Sequence, residues 1–105
     1  METLQRIKHL IVRGHYRFTY KALQELYADA LDPEDALESI LNAQAIKKTI
    51  RSRSPNTIEL REKLYVIESF TYRGTLIYTK GKISRQAGEE IYYLLISSKR
   101  STVTD

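Results

Sequence analysis

Near the end of the chain, Tyr78, Lys80 and Lys82 in the run GTLIYTKGKIS, and Lys99 and Arg100 in the run EEIYYLLISSKR, stand among the most strand-like residues of the sequence. Clustered ammonium groups attract phosphate oxygens. They also depress one another's pKa, which is how a lysine becomes a proton donor or acceptor near neutrality. Tyrosine, present eight times, adds a phenol that can orient a proton and a ring on which bases can stack. A second group of cations, Lys47, Lys48, Arg51 and Arg53, lies earlier in AIKKTIRSRSPN. On one surface these residues would hold a polyanion. The plainer alternative is a solvated sheet face whose lysines guard an edge strand, with Tyr78 packed on a lysine stem.

Other chemistries find little support. Cysteine is absent, which removes disulfides, thiolate nucleophiles and Cys-based metal sites and suits a reducing compartment. The only histidines, His9 and His15, have no acidic partner at ligand spacing, so no metal site is expected. The four glycines form neither GxGxxG nor a P-loop, and no nucleophile elbow is present. An enzyme built from this chain is expected to work without metal or cofactor.

The 105 residues suffice for one domain with one core, and residues 101–105 read as a polar tail. The opening ETLQRIKHLIVRG lacks the apolar core and cleavage site of a signal peptide, and no stretch reaches a membrane span, so the expected location is the cytoplasm. Net charge is +4, unevenly spread. Residues 1–44 carry five Lys/Arg against seven Asp/Glu, and residues 45–105 twelve against six, so the parts stand at −2 and +6. The second part is the one suited to a polyanion.

These residues need elements to position them. Leu4, Ile7, Leu10 and Ile11 form an apolar stripe at helical spacing, closed by Gly14. Thr19 can cap a second helix carrying Tyr20, Leu23, Leu26, Tyr27 and Ala30. Asp32, with Pro33, Glu34 and Asp35 behind it, opens a third whose buried side is Ala36, Leu37, Ile40 and Leu41. After Gln44 the period becomes alternating: AIKKTIR, KLYVIESFTY, TLIYTKGKIS and IYYLLISSK read as strands. Three N-terminal helices packed on an antiparallel meander of about four strands make an α+β fold.

If Ala87–Glu90 closes the last hairpin as a two- or four-residue loop and Gln86 faces Ile91, Tyr78 lies directly opposite Lys99, whereas a three-residue loop would shift the register by one and destroy the pairing. Alternation then places Tyr78, Lys80, Lys82, Ser97 and Lys99 on one face, with Ile77, Ile83, Leu94 and Ile96 on the other against the helices. The same alternation with Ile46 and Ile50 would put Lys47, not Lys48, on the polar face.

The run RFTYKALQELYADALDPEDALESILNA, the Gly-x-x-x-Tyr strand GTLIYTKGKI and the closing YYLLISSKR resemble the MqsR toxins of the RelE-like mRNA interferases. They also resemble a related toxin-associated family of unknown function. The similarity in layout covers roughly residues 3–100. It implies a RelE/barnase-like fold and a metal-independent endoribonuclease that cleaves mRNA, free or on the ribosome, through the RNA's own 2′-hydroxyl. A cognate antitoxin protein would be its partner.

By the same resemblance, Lys99 matches a lysine that serves the cleaved phosphate, Tyr78 matches the tyrosine after the glycine, and Lys48 matches a lysine in the first strand. Lys47, Arg51, Arg53, Lys80, Lys82 and Arg100 would extend the RNA track. The chain departs from these families where a glutamine is expected, near Leu60 or Arg61, and where Lys21 replaces a histidine. Whether Tyr78 or a lysine is the base stays open, because both start from reference pKa values of about 10. Two other functions fit the same residues: a catalytically silent module binding RNA, a ribosome or a protein, and a toxin acting on a protein target such as a topoisomerase.

Overall fold

The computed structural model describes residues 1–51 and 62–102. The second and third helices start where the sequence supplies a side-chain cap, whereas the residue before the first, Glu2, makes no capping hydrogen bond. Helix α1 (Thr3–Val12) buries Leu4, Ile7, Leu10 and Ile11 and ends before Gly14, whose φ of +79° closes the turn. Helix α2 (Tyr20–Ala28) is capped by Thr19, whose Oγ1 accepts from the Ala22 amide at 3.1 Å and donates to the Ile96 carbonyl at 3.1 Å. The cap therefore also fastens the helix to the last strand. Helix α3 (Pro33–Asn42) opens with a reciprocal capping box: Asp32 accepts from the Asp35 amide, and the Asp35 carboxylate accepts from the Asp32 amide.

The buried sides differ from expectation in α2 and α3. Ala22 and Leu26 are buried on α2, whereas Tyr20 and Tyr27 are 78% and 56% exposed. A single α2 stripe cannot bury both the alanine side, which allows close approach to the sheet, and the tyrosine side. On α3, Ser39 joins Ala36, Leu37 and Ile40 inside and donates to the Ala36 carbonyl, while Leu41 turns outward.

Between α1 and α2, Tyr16–Phe18 forms strand β1, which the sequence reading lacks. The remaining strands are β2 (Lys48–Arg51), β3 (Lys63–Phe70), β4 (Leu76–Gln86) and β5 (Glu89–Arg100). Together they make one five-stranded sheet in the order β1-β5-β4-β3-β2. β2 to β5 form the expected antiparallel meander, but β1 pairs with β5 in parallel, so the sheet is mixed. Three residues between two helices are too few to show alternation, and their pairing partners lie 77 positions further along the chain, Tyr16 against Tyr93.

The last hairpin closes through a two-residue loop, Ala87–Gly88, with both residues at positive φ (52° and 82°), and Gln86 faces Glu89. Two bulges follow. They leave Ile91 and Ile96 without a partner on β4 and shift the register by one residue each. Tyr78 thus pairs with Lys99 as expected, but through a shorter loop and two bulges.

The bulges also change which residues point inward. Ile77 is fully buried and Ile83 packs against the core as expected. Tyr93 and Leu95, not Leu94 and Ile96, join them: Leu94 pairs with Lys82 and is half-buried on the other face. Tyr65, Ile67, Ile77, Tyr93 and Leu95 of the sheet form one core with Leu4, Ile7, Leu26 and Ile40 of the helices. Gly81 is required beneath Tyr93, because a Cβ there would lie 2.6 Å from the Tyr93 ring. Among the described residues no helix is long and apolar enough to cross a membrane.

Candidate nucleic-acid interface

The face of the sheet turned away from the helices carries most of the residues singled out for chemistry. Register places Glu68, Tyr78 and Lys99 side by side across β3, β4 and β5. The Lys99 ammonium sits 5.5 Å from the centre of the Tyr78 ring, a cation–π contact. The next row by register is Lys48, Val66, Lys80 and Ser97; Val66 is buried between the two lysines flanking it, and Ser97, beside the bulge at Ile96, turns its hydroxyl to α2 instead. Beyond it, Lys82 pairs with Leu94, which pairs in turn with Arg17 of β1.

Glu68 is the member of this face that sequence reading missed. Its Oε1 lies 2.8 Å from Lys47 Nζ, and its Oε2 accepts from the Ser101 hydroxyl at 2.7 Å. The hydrogen bond from Lys47 chiefly, and that from Ser101, hold the Glu68 carboxyl below the usual range for a glutamate. It is therefore ionised at neutral pH. Its position was readable in principle, since it shares parity with Leu64 and Val66 along β3, but its partner Lys47 lies outside any strand. Ser101, the first residue of the expected tail, is bound to the sheet, its amide donating to the Leu76 carbonyl at 2.9 Å.

Lys47 and Lys48 both reach this face. Lys48 begins β2 opposite Val66, and Lys47, just before the strand, turns its ammonium onto Glu68. The strict choice between them fails because β2 starts only at Lys48: Ile46 packs against the core before alternation begins.

Three expected members are elsewhere. Arg51 pairs with Lys63 and by alternation from Lys48 falls on the helix side of the sheet. Arg100 pairs with Ile77, and its backbone amide and guanidinium both engage Asp29 at the end of α2, through the carboxylate at 2.7 Å and the carbonyl at 3.3 Å. Ser97 is 2% exposed, and its hydroxyl donates to Glu25 of α2 at 2.8 Å, so it offers nothing to solvent. Arg53, and the Leu60 and Arg61 positions where a glutamine is expected, lie outside the described residues.

The lysines differ in their partners. Lys47 is paired with Glu68, and Lys82 with Glu62 at 2.9 Å. Among the described residues, Lys48, Lys80 and Lys99 have no carboxylate partner. Those three ammonium groups span β2, β4 and β5 across the Tyr78 end of the face. Chemically they can hold consecutive phosphates, with one ionised carboxylate and one phenol beside them. Among the described residues no three His, Asp or Glu side chains are grouped to hold a metal ion.

Comparison of the chain with protein-family models, with curated proteins and with solved structures returns no match.

Proposed function

We propose that the open sheet face binds single-stranded RNA and that its Glu68–Tyr78–Lys99 row cleaves it, making the protein a metal-independent endoribonuclease of the toxin class. The observation that carries this reading is the contact of Lys99 with Tyr78 in a row closed by an ionised carboxylate, beside two cations, Lys48 and Lys80, that have no carboxylate partner among the described residues. The resemblance to MqsR-like interferases supports it at Tyr78, Lys99 and Lys48.

In this mechanism the 2′-oxygen attacks the adjacent phosphorus and the bond to the 5′-oxygen breaks. Tyr78 orients or deprotonates the 2′-hydroxyl, and Glu68 is the carboxylate of the row to which that proton can pass. Lys99 stabilises the charge on the phosphorane oxygens or donates to the leaving 5′-oxygen. Lys48 and Lys80 hold the flanking phosphates. The products are a 2′,3′-cyclic phosphate and a 5′-hydroxyl, with no external nucleophile consumed. The substrate is mRNA, free or on the ribosome, the compartment is the cytoplasm, and a cognate antitoxin protein restrains the activity.

Incubating purified protein with RNA in EDTA, with and without ribosomes, tests this directly. Cleavage leaving 2′,3′-cyclic phosphate ends is expected. RNA that is bound but left intact in both settings would replace the enzyme with a silent binding module on the same face.

A further inference from the structure

The parallel strand β1 brings to the open face a feature that neither the lysine rows nor the cleavage mechanism uses. Arg17 lies with its guanidinium carbon 4.5 Å from the centre of the Tyr92 ring. This pair forms one wall of a cavity of about 380 Å³ at the β1–β5 edge, completed by Gly14, His15, Tyr16, Ile91 and Glu90. Ile91 is one of the two residues that the bulges leave unpaired on β4. Glu90 is fixed from behind: its Oε2 is 3.1 Å from Arg85 and 3.5 Å from Arg6. The cavity therefore has a planar cation on an aromatic ring, an apolar edge and a carboxylate held in place.

A flat, partly polar ring fits those walls. Aromatic rings and arginine planes are the usual platforms for an unstacked base, and the Glu90 carboxylate, held by Arg6 and Arg85, closes the inner end of the cavity. We propose that this cavity is a nucleobase subsite for the RNA strand whose phosphates lie on Lys48, Lys80 and Lys99. The proposal rests on the RNA-binding reading of the open face and adds to it where a base is gripped.

Position sets the spacing. Tyr92 and Lys99 are seven residues apart on β5, about 20 Å for a strand carrying one bulge. Lys82 and the half-buried Leu94 lie between them on the same face. A strand engaging both ends needs on the order of four or more nucleotides, within the range of single-strand sites. Shorter RNA can occupy only one end.

The test measures binding of a fluorescent strand of about ten nucleotides, a length within known single-strand sites. Every sugar carries a 2′-O-methyl group, so that the strand cannot be cleaved, and one base at a time is removed along its length. One position is expected at which loss of the base weakens binding about tenfold, the scale of one stacked base. Tyr92→Ala and, as a second variant that spares the ring, Arg17→Gln should weaken the intact strand by similar factors. Neither should weaken further the strand lacking that base. Lys80→Ala should weaken all strands alike. Binding that depends on Lys80 but is indifferent to Arg17, Tyr92 and every single base would overturn the subsite and leave the RNA face standing. A wild-type protein that binds no RNA would overturn both.

Discussion

The ion pairs on the open face make the salt dependence of RNA binding unequal among its lysines. Each single-strand phosphate neutralised by a free cation contributes about 0.7 to the slope of log K against log salt. Lys80 and Lys48 have no carboxylate partner among the described residues, so Lys80→Ala and Lys48→Ala should each flatten the slope by about that amount. Lys82 already holds Glu62 at 2.9 Å. A phosphate arriving there displaces a carboxylate, and less net charge is neutralised. Lys82→Ala should therefore flatten the slope by well under half as much, and Glu62→Gln should tighten binding at low salt by freeing the ammonium. Anisotropy of an uncleavable labelled strand, titrated between about 50 and 200 mM salt, reads all four variants. Equal slopes for Lys80→Ala and Lys82→Ala, with Glu62→Gln indistinguishable from wild type, would refute the reasoning.

Three further outcomes follow from the packing and the charges. Gly81→Ala should destabilise the fold by about 1–3 kcal/mol in urea titration, because its Cβ meets the Tyr93 ring at 2.6 Å and the Leu94 carbonyl at 2.7 Å. Tyr93→Phe should not rescue it, since the backbone contact remains, and alone it should be neutral or slightly stabilising because the buried Tyr93 hydroxyl has no partner. The Glu68 pKa is lowered in the folded state, so its contribution is present above the unfolded glutamate value of about 4.3 and is lost as pH falls through the folded value. The stability gap between wild type and Glu68→Gln, below about 1 kcal/mol for so accessible a pair, should accordingly close on acidification. Persistence of the gap at low pH would remove the ion pair from the account.

The helices were legible because their signals are local: Asp32, Pro33 and Asp35 specify a helix start, and Leu4, Ile7, Leu10 and Ile11 specify a face. The Tyr78–Lys99 pairing was also readable, because both residues lie on one hairpin. The bulges at Ile91 and Ile96 were not, since alternation looks continuous through them, and they moved Leu94 to the open face and Tyr93 and Leu95 to the core. β1 was invisible for a different reason. Its partner is remote in sequence, and with it the Arg17–Tyr92 contact depends wholly on tertiary pairing. Arg100 read as a cation for RNA because sequence shows charge but not that its guanidinium turns to the Asp29 carbonyl at the end of α2.

The most direct test of the central claim is the single-turnover cleavage rate of Lys99→Met, Tyr78→Phe and the double variant on one RNA, with folding checked by circular dichroism. Lys99 is exposed, so methionine keeps the stem over the Tyr78 ring and should leave the fold intact. Removing the ammonium should slow cleavage by about 10²-fold or more, on the order of 3 kcal/mol of transition-state stabilisation. Tyr78→Phe should cost a similar factor, and the double variant far less than the product of the two, because both groups act at one phosphate. A folded Lys99→Met protein that cuts RNA at the wild-type rate would contradict the account.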